Sequence, residues 1–295
     1  MRNIIVLATI CCGLATAAQS RYDKITADLK SMESAAPGVA KVVSIGINDD
    51  GVAIQAIRVS MTPEISDSLR IAHLVVGTHH GNEGAAATTS MQFAKKLIAK
   101  FRSQQVFRDG LVDTEWLIVP VLNISGYNKN ARHERGVDPN RDYPTPCVSD
   151  PGGKLKSTSL LRTVFDKRAY VGSVTLHGYI GTMTYPWGVN VSDPRTHDHN
   201  AFASVTAKAA AVNGYRHGTS TDVVYPADGT YEDWAYWKHG NWSLLIEMKD
   251  GSVSDVSKTV DAMFVYFDGL DQAPSTHHAL QTVCQRAGAL DLRNE

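Results

Sequence analysis

The feature that most constrains this chain is a recurring unit: a short apolar run, a polar turn, then a segment with helical apolar spacing. Ile71–Val76 is such a run, and Gly84–Phe101 behind it reads as a long amphipathic helix. Trp116–Leu122, with Pro120 near its end, Ser173–Leu176 and Trp242–Ile246 read as further strands. Ala201–Val212, Tyr231–Lys238 and Val256–Phe267 read as helices. Toward the front, Tyr22–Met32 has helical spacing, and Val42–Ile47 and Val52–Val59 flank the turn Asn48-Asp49-Asp50-Gly51. Pro144–Ser159 is rich in Pro, Gly and Ser and reads as a loop, with a helix beginning at Leu160–Phe165. No internal repeat is present. This alternation predicts a single α/β domain with a mixed, mostly parallel central sheet and helices on both faces.

The chain has 295 residues, 43% hydrophobic and 20% charged, enough for one large core. A formal net charge of −1 provides no footprint for nucleic acid or an anionic membrane surface. Met1-Arg2-Asn3, the apolar run Ile4–Leu14 and Ala15-Thr16-Ala17 match the three regions of a secretory signal. We expect cleavage after Ala17, a domain over residues 18–270, a loosely packed tail over 271–295, and a secreted or periplasmic location without a membrane anchor. The other reading of residues 1–17 is a first buried strand or helix. Removal of the signal takes Cys11 and Cys12 with it. Cys147 and Cys284 then form either one disulfide or two separate buried thiols.

In sheets of this kind ligands bind outside the carboxyl ends of the strands, and His80, His177 and Glu247 each follow an apolar run. His80-Gly-Asn-Glu83 sets an imidazole and a carboxylate three residues apart on one turn, a spacing that lets both reach one zinc ion with a position left open. Taken alone, the same letters describe a strand end facing water, and His79 leaves the choice of ligand ambiguous. His177 is read either as a third ligand or as a hydrogen-bonded strand-end histidine. Glu247, partly withdrawn from water, would have the raised pKa of a general base; paired with Lys249, it would be an ordinary salt bridge.

The ordered set His80-x-x-Glu83, Arg132, Gly136-Val-Asp-Pro-Asn-Arg141, His177-Gly-Tyr179, Tyr185-Pro186, Tyr225, Asp233-Trp234 and Glu247 resembles the zinc metallocarboxypeptidase family, from about Tyr22 to Phe267. The resemblance implies a carboxypeptidase A/B-like domain with its zinc site at the carboxyl ends of the strands. It makes His80, Glu83 and His177 the ligands of one Zn²⁺ per chain, with His79 a neighbour, and Glu247 the base that deprotonates water and hands the proton to the leaving amine. Arg132 corresponds to the arginine that stabilises the oxyanion, with Arg135 close by in sequence. Asp138 corresponds to the carboxylate that orients the first histidine, Asn140 and Arg141 to the pair that grips the substrate's terminal carboxylate, and Tyr225 to the tyrosine that closes over it.

Glu232 corresponds to the floor of the pocket for the terminal side chain, which would favour Lys, Arg or diaminopimelate-like ends. The alternative is a solvent-facing glutamate on a short helix. The implied substrate is a peptide with a free C-terminal carboxylate, including cell-wall peptides, and the oligomeric state is open. Two departures from digestive members lead us to expect no zymogen step and a trimmed, more open cleft: no large prosegment follows the signal, and the interval from Glu83 to His177 is short. His-Gly-Asn-Glu is also typical of the related aspartoacylase and succinylglutamate desuccinylase branch, so an amidohydrolase of that type stays open. An inactive, peptide-binding relative stays open as well.

Overall fold

The computed structural model describes residues 20–103 and 109–285. The expected signal segment and residues 286–295 of the expected tail lie outside the described residues.

Eight strands of the described residues form one sheet in the order β1-β2-β4-β3-β5-β8-β6-β7. They are β1 (Ala40–Ile47), β2 (Ala53–Val59), β3 (Ile71–Gly77), β4 (Thr114–Val119), β5 (Gly172–Gly178), β6 (Thr182–Tyr185), β7 (Arg216–Thr219) and β8 (Trp242–Met248). The central run β4-β3-β5-β8 is parallel throughout. β1, β2 and β6 join in antiparallel fashion, so the sheet is mixed as expected. The central strands are buried nearly end to end, which fits a sheet covered on both sides.

Among the described residues the α-helices are α1 (Arg21–Ala35), α2 (Gly84–Phe101), α3 (Ile124–Lys129), α4 (Lys156–Lys167), α5 (His199–Asn213), α6 (Ser220–Val223), α7 (Tyr231–His239) and α8 (Val253–Asp268). On one side of the sheet, His73 of β3 and Trp116 of β4 pack with Phe93 of α2 and Phe264 and Phe267 of α8. Ring centroids there lie 4.5–5.5 Å apart for His73–Trp116, Phe93–Trp116, Phe93–Phe264 and Trp116–Phe267. Through β5 the sheet alternates: Gly172 faces Leu270 and Phe267, whereas Ser173 and Thr175 reach Asn241 and Glu232 on the other side. There Phe165 of α4 and Trp234 of α7 meet edge to face at 5.1 Å.

Two sequence expectations shift. β4 ends at Val119, before Pro120, because proline has no N–H to give to a ladder. α4 begins at Lys156, inside the expected loop. The carboxylate of Asp142 accepts the N–H groups of Lys154 and Leu155 and the Thr158 hydroxyl, and so supports that helix start from a distance. β6 and β7 are two further short strands, for which the sequence had suggested no element. β6 alternates Thr182-Met183-Thr184-Tyr185, a period of two over only four residues, whereas β7 carries no apolar residue; β6 is completed by pairing with β8, and β7 by pairing with β6 at the sheet edge. Among the described residues of the C-terminal segment, Cys284 forms a disulfide with Cys147 at a Cα–Cα distance of 5.4 Å. Ser275 bonds to Gly240 and Ser192 to Val283, so residues 271–285 are tied down more firmly than the composition suggests.

Candidate active site

Three neighbouring parallel strands deliver the site. β3 runs into the turn that carries His80 and Glu83, β5 carries His177 one residue before its end, and Glu247 on β8 stands directly beside His177 in the register. The His80 turn is packed against the chain rather than suspended in solvent. A Cβ on Gly81 would lie 2.0 Å from the Gly126 carbonyl carbon and 2.3 Å from the Tyr127 nitrogen, so only glycine fits this close approach. The Asn123 amide donates to the His79 and Arg132 carbonyls and so joins this turn to the Arg132 loop.

His80, Glu83 and His177 are buried and offer their ligand atoms to a common point. His80 Nδ1 lies 2.8 Å from Glu83 Oε1 and 3.2 Å from His177 Nδ1, and His177 Nδ1 lies 3.1 Å from Glu83 Oε2. Ligand atoms about 2.0–2.1 Å from a tetrahedral zinc are about 3.3–3.4 Å apart, so shifts of tenths of an ångström suffice to close this set around one ion. His80 Nε2 is 3.0 Å from Asp138 Oδ1, and a proton shared there leaves the Nδ1 lone pair for a metal. Burial opposes charge on Glu83, yet its bonds to His177 and His80 hold its pKa well below the ordinary carboxylate value. His79 stays outside the cluster, with Nε2 on the Tyr143 hydroxyl at 3.0 Å, and burial pushes its pKa well down.

Around the triad, burial raises the pKa of Glu247, whose Oε2 is enclosed without a hydrogen-bond partner. Asp138 is pulled the other way. Burial would raise its pKa, but the bond to His80 and the charges of Arg141 and Arg132 take it far below the usual range. Arg132 holds Asp138 through Nε at 3.2 Å and Nη2 at 2.9 Å, with Nη1 3.6 Å from Glu83. Arg135 instead points away to Asp50.

Asp138 also caps the turn Pro139–Arg141 by accepting the Asn140 N–H. Arg141 donates to the Asn140 carbonyl at 2.7 Å and to the Tyr225 hydroxyl at 3.2 Å, and the Tyr225 side chain is half exposed. Asn140 is buried; its Oδ1 accepts the Tyr231 N–H, and its Nδ2 makes a long 3.4 Å contact with Glu232. Glu232 does not face solvent. It is 2% exposed and takes a bond from the Thr175 hydroxyl.

Residues 25–266 match the family model for zinc carboxypeptidases. The chain belongs to the zinc carboxypeptidase family. It is 23% identical to carboxypeptidase B of Astacus astacus over 78% of this chain and 86% of that protein. Mouse carboxypeptidase A4 is 25% identical over 58% of this chain, and the match spans about half, 49%, of that relative's length. The crystal structure of thrombin activatable fibrinolysis inhibitor superposes with a TM-score of 0.71 at 17% identity, covering 84% of this chain and 72% of that one. The protein is thus a hydrolase of the metallocarboxypeptidase type, and the expected α/β fold is that of its structural neighbours. Membership of this family sets aside the amidohydrolase branch.

Sequence reasoning missed three supporting residues. Thr175 shares the strand face of His177 two positions earlier, so the period of two in a strand would have found it. Tyr143 and Asn123 had no such signal, because both act through contacts distant in sequence.

Proposed function

We propose that this protein removes the last residue from peptides that bear a free C-terminal carboxylate, with a preference for Lys, Arg or diaminopimelate-type ends. The observation that carries this reading is the meeting of a metal-competent triad, the unbonded Glu247 carboxylate and the Arg141–Tyr225 pair. His80, Glu83 and His177 would hold one zinc ion, which when bound would supply Lewis acidity and a water of lowered pKa, about 7. Glu247 accepts the proton of the attacking water and passes it to the leaving amine. Arg132, fixed on one edge by Asp138, turns its guanidinium toward the charge that develops on the carbonyl oxygen.

Arg141 offers a planar fork to the terminal carboxylate, assisted by Asn140 once its long contact with Glu232 is exchanged. Tyr225 closes over the bound end. The side-chain preference rests on Glu232: among the described residues no lysine or arginine pairs with this buried carboxylate, so a cationic substrate end would compensate it. Export is supported by the signal-like N-terminus and by the Cys147–Cys284 disulfide, a bond that persists in oxidising compartments.

The test is mass spectrometry of digests of a peptide library varied at the last residue and including a wall-type stem peptide. Release of single C-terminal residues is expected, with basic ends fastest and that advantage lost in Glu232→Gln. Internal cleavage would overturn the exopeptidase reading, and faster release of acidic or neutral ends would overturn the preference.

A further inference from the structure

A second group of metal-type donors lies on elements that the catalytic site does not use. His197 precedes α5, Asp198 is the residue at its N-terminal cap, and His277 belongs to the C-terminal segment. One ligand atom from each lies within 4.8 Å of the others. The two imidazoles stack with centroids 4.4 Å apart and planes 17° off parallel, so their in-plane lone pairs run side by side, and one of these exposed rings must turn about its χ2 to bring both onto a common ion; His197 Nδ1 is 3.6 Å from Asp198 Oδ1.

The carboxylate is already oriented. Asp198 Oδ2 accepts the Tyr236 hydroxyl at 2.7 Å and also the Ser275 hydroxyl, which leaves Oδ1 for another partner. The same two hydroxyls flank His277: its carbonyl lies 3.3 Å from the Tyr236 hydroxyl, whose one proton goes to the nearer Asp198, and Ser275 Oγ accepts the His277 N–H at 3.0 Å. His277 Nδ1 contacts the Thr276 hydroxyl at 3.2 Å, so Nε2 is free to ligate. Hydroxyl partners behind a carboxylate ligand are a common way for proteins to hold a metal donor in place. Two imidazoles and one carboxylate suit Zn²⁺, Ni²⁺ or Cu²⁺, and the exposed histidines leave the remaining positions to water.

We propose that His197, Asp198 and His277 form a second, peripheral transition-metal site, distinct from His80, Glu83 and His177. It joins the start of α5 to the C-terminal segment, whose far end is held by the Cys147–Cys284 disulfide. An ion there adds a further tie to a segment already held by the disulfide and by hydrogen bonds such as that of Ser275 to Gly240.

The experiment is calorimetric titration of Zn²⁺ into the zinc-loaded full chain, with bound metal counted by mass spectrometry after gel filtration. The proposal expects one further equivalent to bind and the melting temperature to rise with it. In His277→Ala and, separately, His197→Ala, that equivalent should bind at least about tenfold more weakly, while the first zinc and peptide hydrolysis persist. A Ser275→Ala variant should weaken it by a smaller factor through Asp198. No second equivalent, or one that binds with equal affinity in both histidine variants, overturns the site. Because the signal is the second equivalent and not turnover, it is independent of the peptidase reading.

Discussion

Replacing Gly81 by alanine tests whether the metal turn depends on close backbone packing. The added Cβ would sit 2.0 Å from the Gly126 carbonyl carbon, 2.3 Å from the Tyr127 nitrogen and 2.5 Å from the Ala131 carbonyl oxygen. All three are backbone atoms that no rotamer change can move, and ordinary contact needs about 3.4 Å, so the turn or α3 must retreat by about 1 Å or more. Such overpacking costs about 1–3 kcal/mol of stability. Because His80 and Glu83 flank Gly81, the retreat also parts them from His177; a displacement of about 1 Å at reacting groups costs about 10²-fold in rate. We therefore expect kcat/KM of Gly81→Ala to fall by about that factor, zinc affinity to drop in a competition titration against a chelator, and the urea midpoint to decrease. Asn82 in the same motif is exposed, so Asn82→Ala should leave all three unchanged. Native zinc affinity and native kcat/KM in Gly81→Ala would refute the packing argument.

Glu247→Gln should bind peptide in calorimetry at close to native affinity while kcat falls by about 10²–10⁴-fold, the range expected for loss of a general base; an active variant would reject the assignment. Glu134 is buried, with Oε1 unpartnered, and burial raises its pKa from 4.5 to about 7. The folded state therefore holds this proton more tightly than the unfolded chain, so its contribution to stability is full below about pH 4.5 and is lost as pH rises through about 7. Glu134→Gln should match the native protein near pH 4.5 and exceed it by up to about 3 kcal/mol at pH 8, as read from denaturant curves; parallel pH profiles would count against this. Replacing Cys147 and Cys284 by serine opens a loop with a sequence separation of 137, for which chain entropy gives a ceiling of about 5 kcal/mol. A melting temperature unchanged between the native chain and this double variant would show that the bond constrains little.

Much of the architecture was legible because its signals are local. The apolar runs of β3, β5 and β8 and the spacing of α2 stand out in the sequence, and the sheet order then puts three strand ends side by side. His80, Glu83, His177 and Glu247 follow those runs directly, so the candidate site is legible in the sequence. What stayed hidden depends on distant partners. β6 and β7 owe their form to pairing with their neighbours, the start of α4 to Asp142, and the burial of Glu232 to Thr175 and Asn140. Arg132 and Arg135, close in sequence, part company only through distant partners, Asp138 for one and Asp50 for the other.

The most direct test of the account compares one peptide ending in lysine with its C-terminally amidated twin, using the zinc-loaded protein, the metal-depleted protein and the protein after zinc is restored. The account predicts release of lysine from the free-acid peptide alone, loss of that release on depletion and its return with zinc. Equal cleavage of the twins, or undiminished cleavage without metal, would contradict it.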